Sequence, residues 1–273
     1  MNTPVPIHPD LLRLAVFAAL FAILALAEHR WPRRRREIGR SRRWRINLTI
    51  VGLDALAARL LLPVAPFALA LQLQDCGWGL LPLLGLTATF EAAASLLALD
   101  LLIYTQHRLF HRLPLFWRLH RMHHTDLELD VSSGTRFHPV EILLSLLLKM
   151  AVVALLGIAP LSVLAFEILL NACSMWNHAN LHLPPGLDRW LRLVLVTPDM
   201  HRVHHSILAQ ETHSNFGFNL AWWDRLFGSY TAQPRDGHEA MRLGLAAWRN
   251  QEDLGLWALL RLPLVPPAKR RTP

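Results

Sequence analysis

Long blocks of apolar residues, separated by short polar segments, occupy much of this chain. A helix of roughly 17–25 mostly apolar residues is long enough to cross a bilayer. Three blocks have this character, with a few polar residues inside the second and third: residues 11–27, 46–73 and 80–103. A fourth, residues 142–175, is interrupted by glycine and proline at 157–160, which predicts a helical hairpin of two short spans. The pattern indicates an all-α, polytopic membrane helical bundle.

The composition supports a membrane protein and excludes two kinds of cysteine site. Hydrophobic residues make up 53% of the chain, and the mean hydropathy of +0.27 is high for a soluble globular protein. The two cysteines, Cys76 and Cys173, are far apart in the sequence. They predict neither a disulfide framework nor a CxxC metal site.

The positive charge of the chain is concentrated in one segment. The formal net charge is +8, and residues 30–45 alone contain nine arginines and a single acid, Glu37. The remainder of the chain is therefore neutral. A basic run directly after a membrane span is typical of a cytosolic loop, and such a run can also contact anionic lipid headgroups. Because the charge is so localised, we expect no nucleic-acid partner, although the pI is about 10.8.

The arginine-rich loop fixes the expected topology. If residues 30–45 are cytosolic and the first helix is retained, the N-terminus lies outside and the later spans alternate in direction. The third span then returns to the cytosol around Tyr104, and the hairpin leaves and comes back. Residues 107–138 and 178–205 are therefore expected on the same, cytosolic face of the membrane, in a helical cap.

Those two segments contain most of the histidines. Ten of the 15 histidines form four clusters, in which an H-x3-H pair is followed by H-x2-H-H, twice: His107 and His111; His120, His123 and His124; His178 and His182; His201, His204 and His205. Residues three or four apart share one helix face, so each pair can present two imidazoles to one metal. The H-x2-H-H spacing can serve two adjacent metals. Four such clusters on one membrane face predict a site for a metal pair.

The ligand type narrows the choice of metal without deciding it. Imidazole suits zinc, copper, iron and nickel. A structural zinc site needs only four ligands and usually includes cysteine, and a zinc protease would contain H-E-x-x-H, which is absent here. Ferritin-like di-iron bundles use Glu-x-x-His motifs, and no glutamate in this chain has a histidine three residues later. The residues predict an all-histidine metal pair beside the bilayer.

Several polar residues accompany the clusters. Asp100 and Tyr104 share a helical face with His107 and His111, so either could orient a ligand by hydrogen bonding. Thr197 followed by proline and aspartate predicts the start of a helix at Pro198. His138 is expected to be structural and paired with Glu141 one turn later.

These residues resemble the sterol desaturase and fatty acid hydroxylase superfamily of membrane oxygenases. The similarity covers roughly residues 95–230 and includes four ordered strings beyond the clusters: Asp100-x3-Tyr104-x2-His107-Arg108-x2-His111, Arg136-Phe-His138-Pro-Val-Glu141, Asn177-His178-Ala-Asn180-x-His182, and Ser214-Asn215-Phe216-Gly217 leading into Trp223-Asp224-Arg225-Leu226-Phe227-Gly228. One departure is His213, where the family often has an acid. We expect His213 to be a surface replacement and do not count it as a ligand.

The resemblance implies a di-iron centre that activates O2 and attacks an unactivated C–H bond of a membrane lipid. It assigns all ten cluster histidines as ligands of two iron ions, with Asp100, Tyr104, His138 and Asn177 as supporting polar residues. It also implies an external electron donor (a ferredoxin, a cytochrome or a reductase). The expected location is a bacterial inner membrane. The chain then divides into N-terminal membrane helices with the arginine-rich loop (1–94), a catalytic domain with the membrane hairpin (95–235) and a C-terminal interfacial helix and tail (236–273).

The sequence leaves several alternatives open. A hydroxylase is the leading hypothesis, a lipid desaturase shares the same first hydrogen abstraction, and a metal-dependent membrane hydrolase or a non-catalytic metal protein belongs to a different class. Sterols, fatty acyl chains, carotenoids and aminolipids are all compatible substrates. Arg59 and Glu91 lie in predicted spans, where a charge is costly and often functional, although a structural ion pair between them is an equal possibility.

Overall fold

The computed structural model describes residues 8–62, 64–250 and 254–266. In this part of the chain the regular structure is helical, apart from isolated β-bridges. The helices are α1 (Pro9–Arg30), α2 (Arg40–Leu61), α3 (Pro66–Gln74), α4 (Leu80–Leu83), α5 (Ala88–Arg112), α6 (Pro114–His124), α7 (Pro139–Leu156), α8 (Pro160–His178), α9 (Pro185–Leu191), α10 (Pro198–His204), α11 (Ala209–Thr212), α12 (Trp222–Leu226), α13 (Gly237–Ala240) and α14 (Leu256–Arg261).

Four of the described helical segments are long and apolar enough to cross a membrane: Pro9–Arg30, Arg40–Gln74, Ala88–Arg112 and Pro139–Leu156. Many large apolar side chains on them are exposed, including Leu26, Leu60, Phe90 and Leu155. Such a surface is unfavourable in water and is expected against lipid. The prediction of an all-α membrane bundle is confirmed, and the chain is a membrane protein.

Two of the predicted spans have different bounds in the structure. The block predicted at 46–73 is interrupted, because α2 ends at Leu61 and α3 begins at Pro66. Proline has no backbone N–H to donate to a preceding helical turn, so it favours a new helix start at this position. The block predicted at 80–103 is divided between the short α4 and the long α5. Gly85 in the left-handed region (φ 57°) separates them. Because α5 continues to Arg112, His107 and His111 lie on the same helix as the span.

The break predicted at residues 157–160 is confirmed, but of the two helices of the predicted hairpin only α7 is among the described segments long and apolar enough to cross a membrane. Helix α7 ends at Gly157, which adopts the left-handed conformation (φ 68°), and α8 begins at Pro160. A left-handed residue without a Cβ ends a helix at little cost, and proline fits the first turn of the next helix. Helices α7 and α8 both pack against α3, and α8 also packs against α1. The last turn of α8 carries His178 toward the cap.

The arginine-rich segment is largely folded against the protein. Arg36 and Arg40 both contact Oε2 of Glu28, at 3.1 and 2.8 Å, and Glu28 is fully buried. Arg43 pairs with Asp126 at 2.8 Å and with Asp130 at 2.6 Å. Half of the segment therefore fastens the first two helices to the cap, and the exposed positions left for lipid headgroups include Arg30, Arg35, Arg42 and Arg45.

The cap is closed by the C-terminal helix. Leu259 and Leu262 pack against Ile50 of α2 and Met122 of α6, while Trp257 is exposed, in agreement with a short helix at the interface or on the cap. Positions 251–253 and 267–273 of the predicted C-terminal part lie outside the described residues, as do positions 1–7 at the other end.

The two charged residues of the predicted spans are not paired with each other. Arg59 lies in the last turn of α2 and Glu91 in the first turn of α5, and no ion pair among the described residues joins them. Both residues lie in a terminal turn of a helix. The free-energy cost of a charge is lower there than at the bilayer centre.

Candidate metal centre

Nine of the ten cluster histidines converge in the cap as two adjoining groups. We call them the first histidine group (His107, His111, His120, His124 and His204) and the second histidine group (His123, His178, His201 and His205). Within each group the nitrogen atoms lie within 4.8 Å of one another, and all nine side chains are buried. The two groups are in direct contact, since the rings of His124 and His205 are stacked with centroids 4.5 Å apart.

Both groups draw on both halves of the quasi-repeated pattern. In α6, His120 and His124 contribute to the first group, while His123 contributes to the second. In α10 and its C-terminal cap the order is reversed, because His204 joins the first group and His201 and His205 join the second. The H-x2-H-H spacing therefore serves two adjacent sites, as the sequence predicts.

A loop after α11 orients two histidines of the first group. The carbonyl of Phe216 lies 2.8 Å from Nδ1 of His107, and the carbonyl of Ser214 lies 2.7 Å from Nδ1 of His204. The buried carboxylate of Asp224 holds this loop in place by accepting the backbone N–H of Phe216 at 2.7 Å. A carbonyl can only accept, so each Nδ1 carries the proton and each Nε2 keeps its lone pair.

A carboxylate and further carbonyls orient other members. Oε1 of Glu141, a buried residue in the first turn of α7, lies 2.6 Å from Nδ1 of His120. In the second group, Nδ1 of His178 donates to the carbonyl of Ser174 at 2.7 Å, and Nδ1 of His123 faces the carbonyl of Arg136 at 3.2 Å. These hydrogen bonds fix the ring orientation and direct Nε2 into the centre of each group.

The Nε2 atoms lack ordinary partners. In the first group all five Nε2 atoms are buried without a hydrogen bond. In the second group, Nε2 of His178 lies 3.0 Å from that of His123, 3.1 Å from that of His205 and 3.2 Å from that of His201. With metal–nitrogen bonds of about 2.0–2.1 Å, ligand nitrogens on one ion are separated by roughly 2.9–3.4 Å. The spacing and the unpartnered nitrogens both fit a metal ion in each group.

The electrostatics keep the ligands neutral. Burial, reinforced by neighbouring imidazoles, lowers the pKa of His204 and His205 well below 6.5, and burial lowers the pKa of His120 to about 3. A neutral imidazole is the form that binds a metal. The arrangement can therefore hold two cations close together near neutral pH.

Comparison with known proteins agrees with this geometry. The sequence model described as fatty acid hydroxylase matches residues 92–229, which is half of the chain and contains both histidine groups. The chain belongs to the fatty acid hydroxylase family.

Three similar proteins illustrate the relationship. The chain is 34% identical over 147 residues to ornithine lipid hydroxylase OlsE of Rhizobium tropici, which covers 54% of this chain and 43% of that protein. It is 30% identical over 138 residues to alkylglycerol monooxygenase of Danio rerio (50% and 30% covered). It is 30% identical over 147 residues to a cholesterol 25-hydroxylase-like protein of the same organism (53% and 57% covered). Each match spans less than two thirds of the relative. No solved structure matches the chain.

One of the ten histidines lies outside both groups. Helix α8 ends at His178, and the chain then becomes extended, with Leu181 in an isolated bridge to Pro32. His182 is therefore not one helical turn from His178; its side chain is exposed at the protein surface. The spacing H-x3-H brings two imidazoles together only where the helix continues through both residues. We therefore do not propose His182 as a ligand.

Three of the four predicted supporting residues do not contact the histidine nitrogens themselves. Asp100 accepts the indole N–H of Trp223 at 2.8 Å, and the hydroxyl of Tyr104 bonds that of Ser229 at 2.8 Å. Asn177 donates to the carbonyl of Phe218 at 2.6 Å. These contacts tie α5 and α8 to the segment 216–229, which carries the carbonyl that orients His107.

The contacts of His138 and His213 differ in part from those predicted. His138 caps α7, with Nδ1 accepting the N–H of Val140 at 3.1 Å, and its expected partner Glu141 instead bonds His120. His213 is exposed as expected, yet its Nδ1 also lies 3.4 Å from Nδ1 of His111. The contact between Glu141 and His120 was not predicted. An acid in the first turn of a helix that begins at His138-Pro139 is a sequence signal that could have indicated it.

An apolar cavity of about 310 Å³ adjoins the first histidine group within the bundle. His107 and His120 line it, together with side chains of α1, α2, α5, α7 and α8, among them Phe17, Val51, Ile103 and Leu170. This volume is at the lower end of the range for ligand sites, roughly 300–1,000 Å³. The cavity can accommodate part of a hydrocarbon chain beside the metal centre.

Proposed function

We propose that this protein is a membrane di-iron oxygenase that hydroxylates a C–H bond of a lipid with O2 and an external reductant. The observation that carries the proposal is the pair of adjoining all-imidazole groups, with inward-facing Nε2 atoms, beside an apolar cavity among membrane helices. Bound iron would supply the activation of O2 and the removal of hydrogen from carbon.

The residues of the chain have definable tasks in such a reaction. The nine grouped histidines hold the ions, and Glu141 with the carbonyls of Ser214 and Phe216 keeps three of the rings in the metal-binding tautomer. The apolar wall positions the hydrocarbon and excludes water from the reacting carbon. The protein thus supplies binding and orientation, while the hard chemistry belongs to the cofactor.

The similar proteins favour hydroxylation over desaturation. Their names describe hydroxylases and a monooxygenase, and they refer to three different lipids: ornithine lipid, alkylglycerol and cholesterol. We therefore propose a membrane lipid as the substrate class without adopting any one of these three.

We propose that electrons reach the centre from a separate protein: a ferredoxin, a cytochrome or a reductase. The segment 30–45 adjoins the cap, because Arg43 pairs with Asp130, and several of its other arginines are exposed. Such a basic segment beside membrane helices favours the cytosolic side of an inner membrane.

The proposal is tested with the purified protein in lipid nanodiscs prepared from the native host lipid extract. With a chemical reductant, O2 consumption and a lipid product that has gained one oxygen atom are expected, and both should disappear in His204→Ala. A product that has lost two hydrogens identifies a desaturase instead. Lipid cleavage without O2 or reductant would contradict the proposal and indicate a hydrolase. His29→Ala, at an exposed histidine of α1, is the matched control and should retain full activity.

A further inference from the structure

Among the polar side chains that line the cavity beside the first histidine group are Asp54 of α2 and Gln106 of α5. Each is only 9% exposed. Oδ1 of Asp54 and Oε1 of Gln106 are buried without a hydrogen-bond partner. A buried carboxylate or amide without a partner is costly. Oε2 of Glu141, in the same cavity, is also without a partner, but Glu141 bonds His120 through its other oxygen.

Asp54 is an exception among the acids of this protein. The other buried acidic side chains of the described chain have a hydrogen bond or an ion pair, as Glu28, Glu141 and Asp224 do, whereas Asp54 has neither. The free-energy cost of burying the Asp54 side chain is therefore not offset by a hydrogen bond or an ion pair within the described part of the protein. We take the missing hydrogen-bond partner of Asp54 to be a group on a bound ligand rather than the result of imperfect packing.

The position of Asp54 supports a ligand. Val51, Asp54, Ala55 and Ala58 all line the cavity, and their spacing places them on one face of α2. The two alanines are small, which leaves space in the cavity beside the carboxylate. Gln106, from α5, also lines the cavity and directly precedes the group member His107. The two acceptors thus belong to the same cavity as the metal-facing histidines.

We infer that Asp54 and Gln106 recognise a hydrogen-bond donor on the lipid, so that the substrate is a lipid with a hydroxyl, amide N–H or ammonium group close to the oxidised carbon. The inference rests on the proposed function, because it takes the cavity to be the substrate site. A plain hydrocarbon end would leave both acceptors buried and unpaired, whereas a donor group satisfies them and selects the lipid by its polar end.

The test is a binding measurement under anaerobic conditions, where no turnover occurs, with the full-length, iron-loaded protein in nanodiscs. Three probe pairs have the same hydrocarbon chain and differ in their donors: 1-hexadecanol against its methyl ether, hexadecanamide against N,N-dimethylhexadecanamide, and hexadecylammonium against hexadecyltrimethylammonium. Native mass spectrometry gives the ratio of the two dissociation constants. We expect the wild-type protein to prefer the donor in at least one pair by about tenfold or more. The preferred pair identifies which donor group is recognised.

The variants are Asp54→Leu and Gln106→Leu, which replace unpartnered polar groups with apolar side chains of similar size. Each is expected to reduce the preference to about threefold or less, and to leave the melting temperature unchanged or raised, since an uncompensated buried group is removed. Asp75→Leu, at an exposed acid after α3, is the matched control and should keep the wild-type ratio.

Two outcomes would overturn the inference: a wild-type protein with no preference in any pair, or a preference that persists in the Asp54→Leu, Gln106→Leu double variant. Because no oxygen is consumed in this experiment, its result is independent of the oxygenase proposal. Loss of lipid oxidation with an intact binding preference would instead refute the proposed reaction alone.

Discussion

Glu141 accepts a hydrogen bond from His120 at 2.6 Å, and this contact links a membrane helix to the metal centre. Glu141 lies in the first turn of α7 and His120 in α6, and both side chains are buried. The carboxylate fixes the tautomer of His120 and increases the basicity of Nε2. The membrane hairpin therefore contributes directly to the ligand geometry.

Replacing Glu141 should weaken metal binding without removing a ligand. We expect Glu141→Leu to lower iron affinity or activity by roughly 10- to 100-fold, because loss of such a partner frees the imidazole to rotate. Glu141→Gln retains an acceptor and should lose less. Iron titration of the metal-free protein measures the effect. Glu91→Gln, in the first turn of α5, is the control, and an unchanged affinity in Glu141→Leu would refute the orienting role.

The loop that orients His107 and His204 should depend on Asp224. Its carboxylate accepts the N–H groups of Phe216 and Gly217, both at 2.7 Å, and the hydroxyl of Ser229 at 2.7 Å. Asp224→Asn places an amide NH2 against backbone donors, and we expect a loss of unfolding free energy on the order of 2–4 kcal/mol. Chemical denaturation in detergent measures this loss.

A matched comparison for Asp224 is Asp236→Asn, at an exposed ion pair with Arg235. That substitution should leave the unfolding free energy essentially unchanged, because an exposed ion pair contributes little to stability. Equal effects of the two substitutions would show that the loop is not held by the buried carboxylate.

Arg43 should be needed to join the first membrane helices to the cap. It contacts Asp126 at 2.8 Å and Asp130 at 2.6 Å, and all three side chains are buried. Arg43→Ala leaves two buried carboxylates without their cation, so a destabilisation of about 3–5 kcal/mol is expected. The exposed neighbour Arg42 offers a control, since Arg42→Ala should be nearly neutral. Thermal unfolding of both variants distinguishes a structural bridge from a lipid-binding charge.

The metal-free protein should lose stability in mild acid. Burial, with neighbouring imidazoles adding to it, holds the pKa of His123, His124 and His201 well below 6.5 in the folded chain. Below pH 6.5 the unfolded chain binds more protons than the folded chain, so this stability is present above pH 6.5 and decreases as the pH falls. The slope is about 1.4 kcal/mol per pH unit for each such histidine.

The measurement is the melting temperature of the metal-free protein between about pH 8 and pH 5. A steady fall below pH 6.5 is predicted, and a melting temperature that does not change over this range would contradict the burial of the neutral ligands.

Much of this architecture follows from local sequence rules. Thr197 begins α10 as predicted, with its hydroxyl accepting the N–H of Met200 at 3.3 Å, and Gly157 with Pro160 breaks the hairpin where their backbone preferences require it. The meeting of the histidine clusters agrees with the topology predicted from charge and hydropathy, in which both segments lie on one membrane face. These features depend on residues close together in the sequence or on the direction of the spans.

The remaining features depend on tertiary contacts that spacing does not encode. His182 leaves the ligand set because α8 stops at His178, and the residue that ends the helix is an alanine without a strong stop signal. The partner of Glu141 is 21 residues away rather than three. The sequence does not distinguish Arg43 from the other arginines of residues 30–45. Its ion pair with Asp126 is a tertiary contact.

The central claim is that nine specific histidines hold two iron ions, and metal analysis of four proteins tests it most directly. The account predicts two iron ions per chain in the wild-type protein and in His182→Ala, whose imidazole is exposed. It predicts no more than one in His204→Ala, from the first histidine group, or in His178→Ala, from the second. Two tightly bound ions in both of the latter variants, or a loss of iron in His182→Ala, would contradict it.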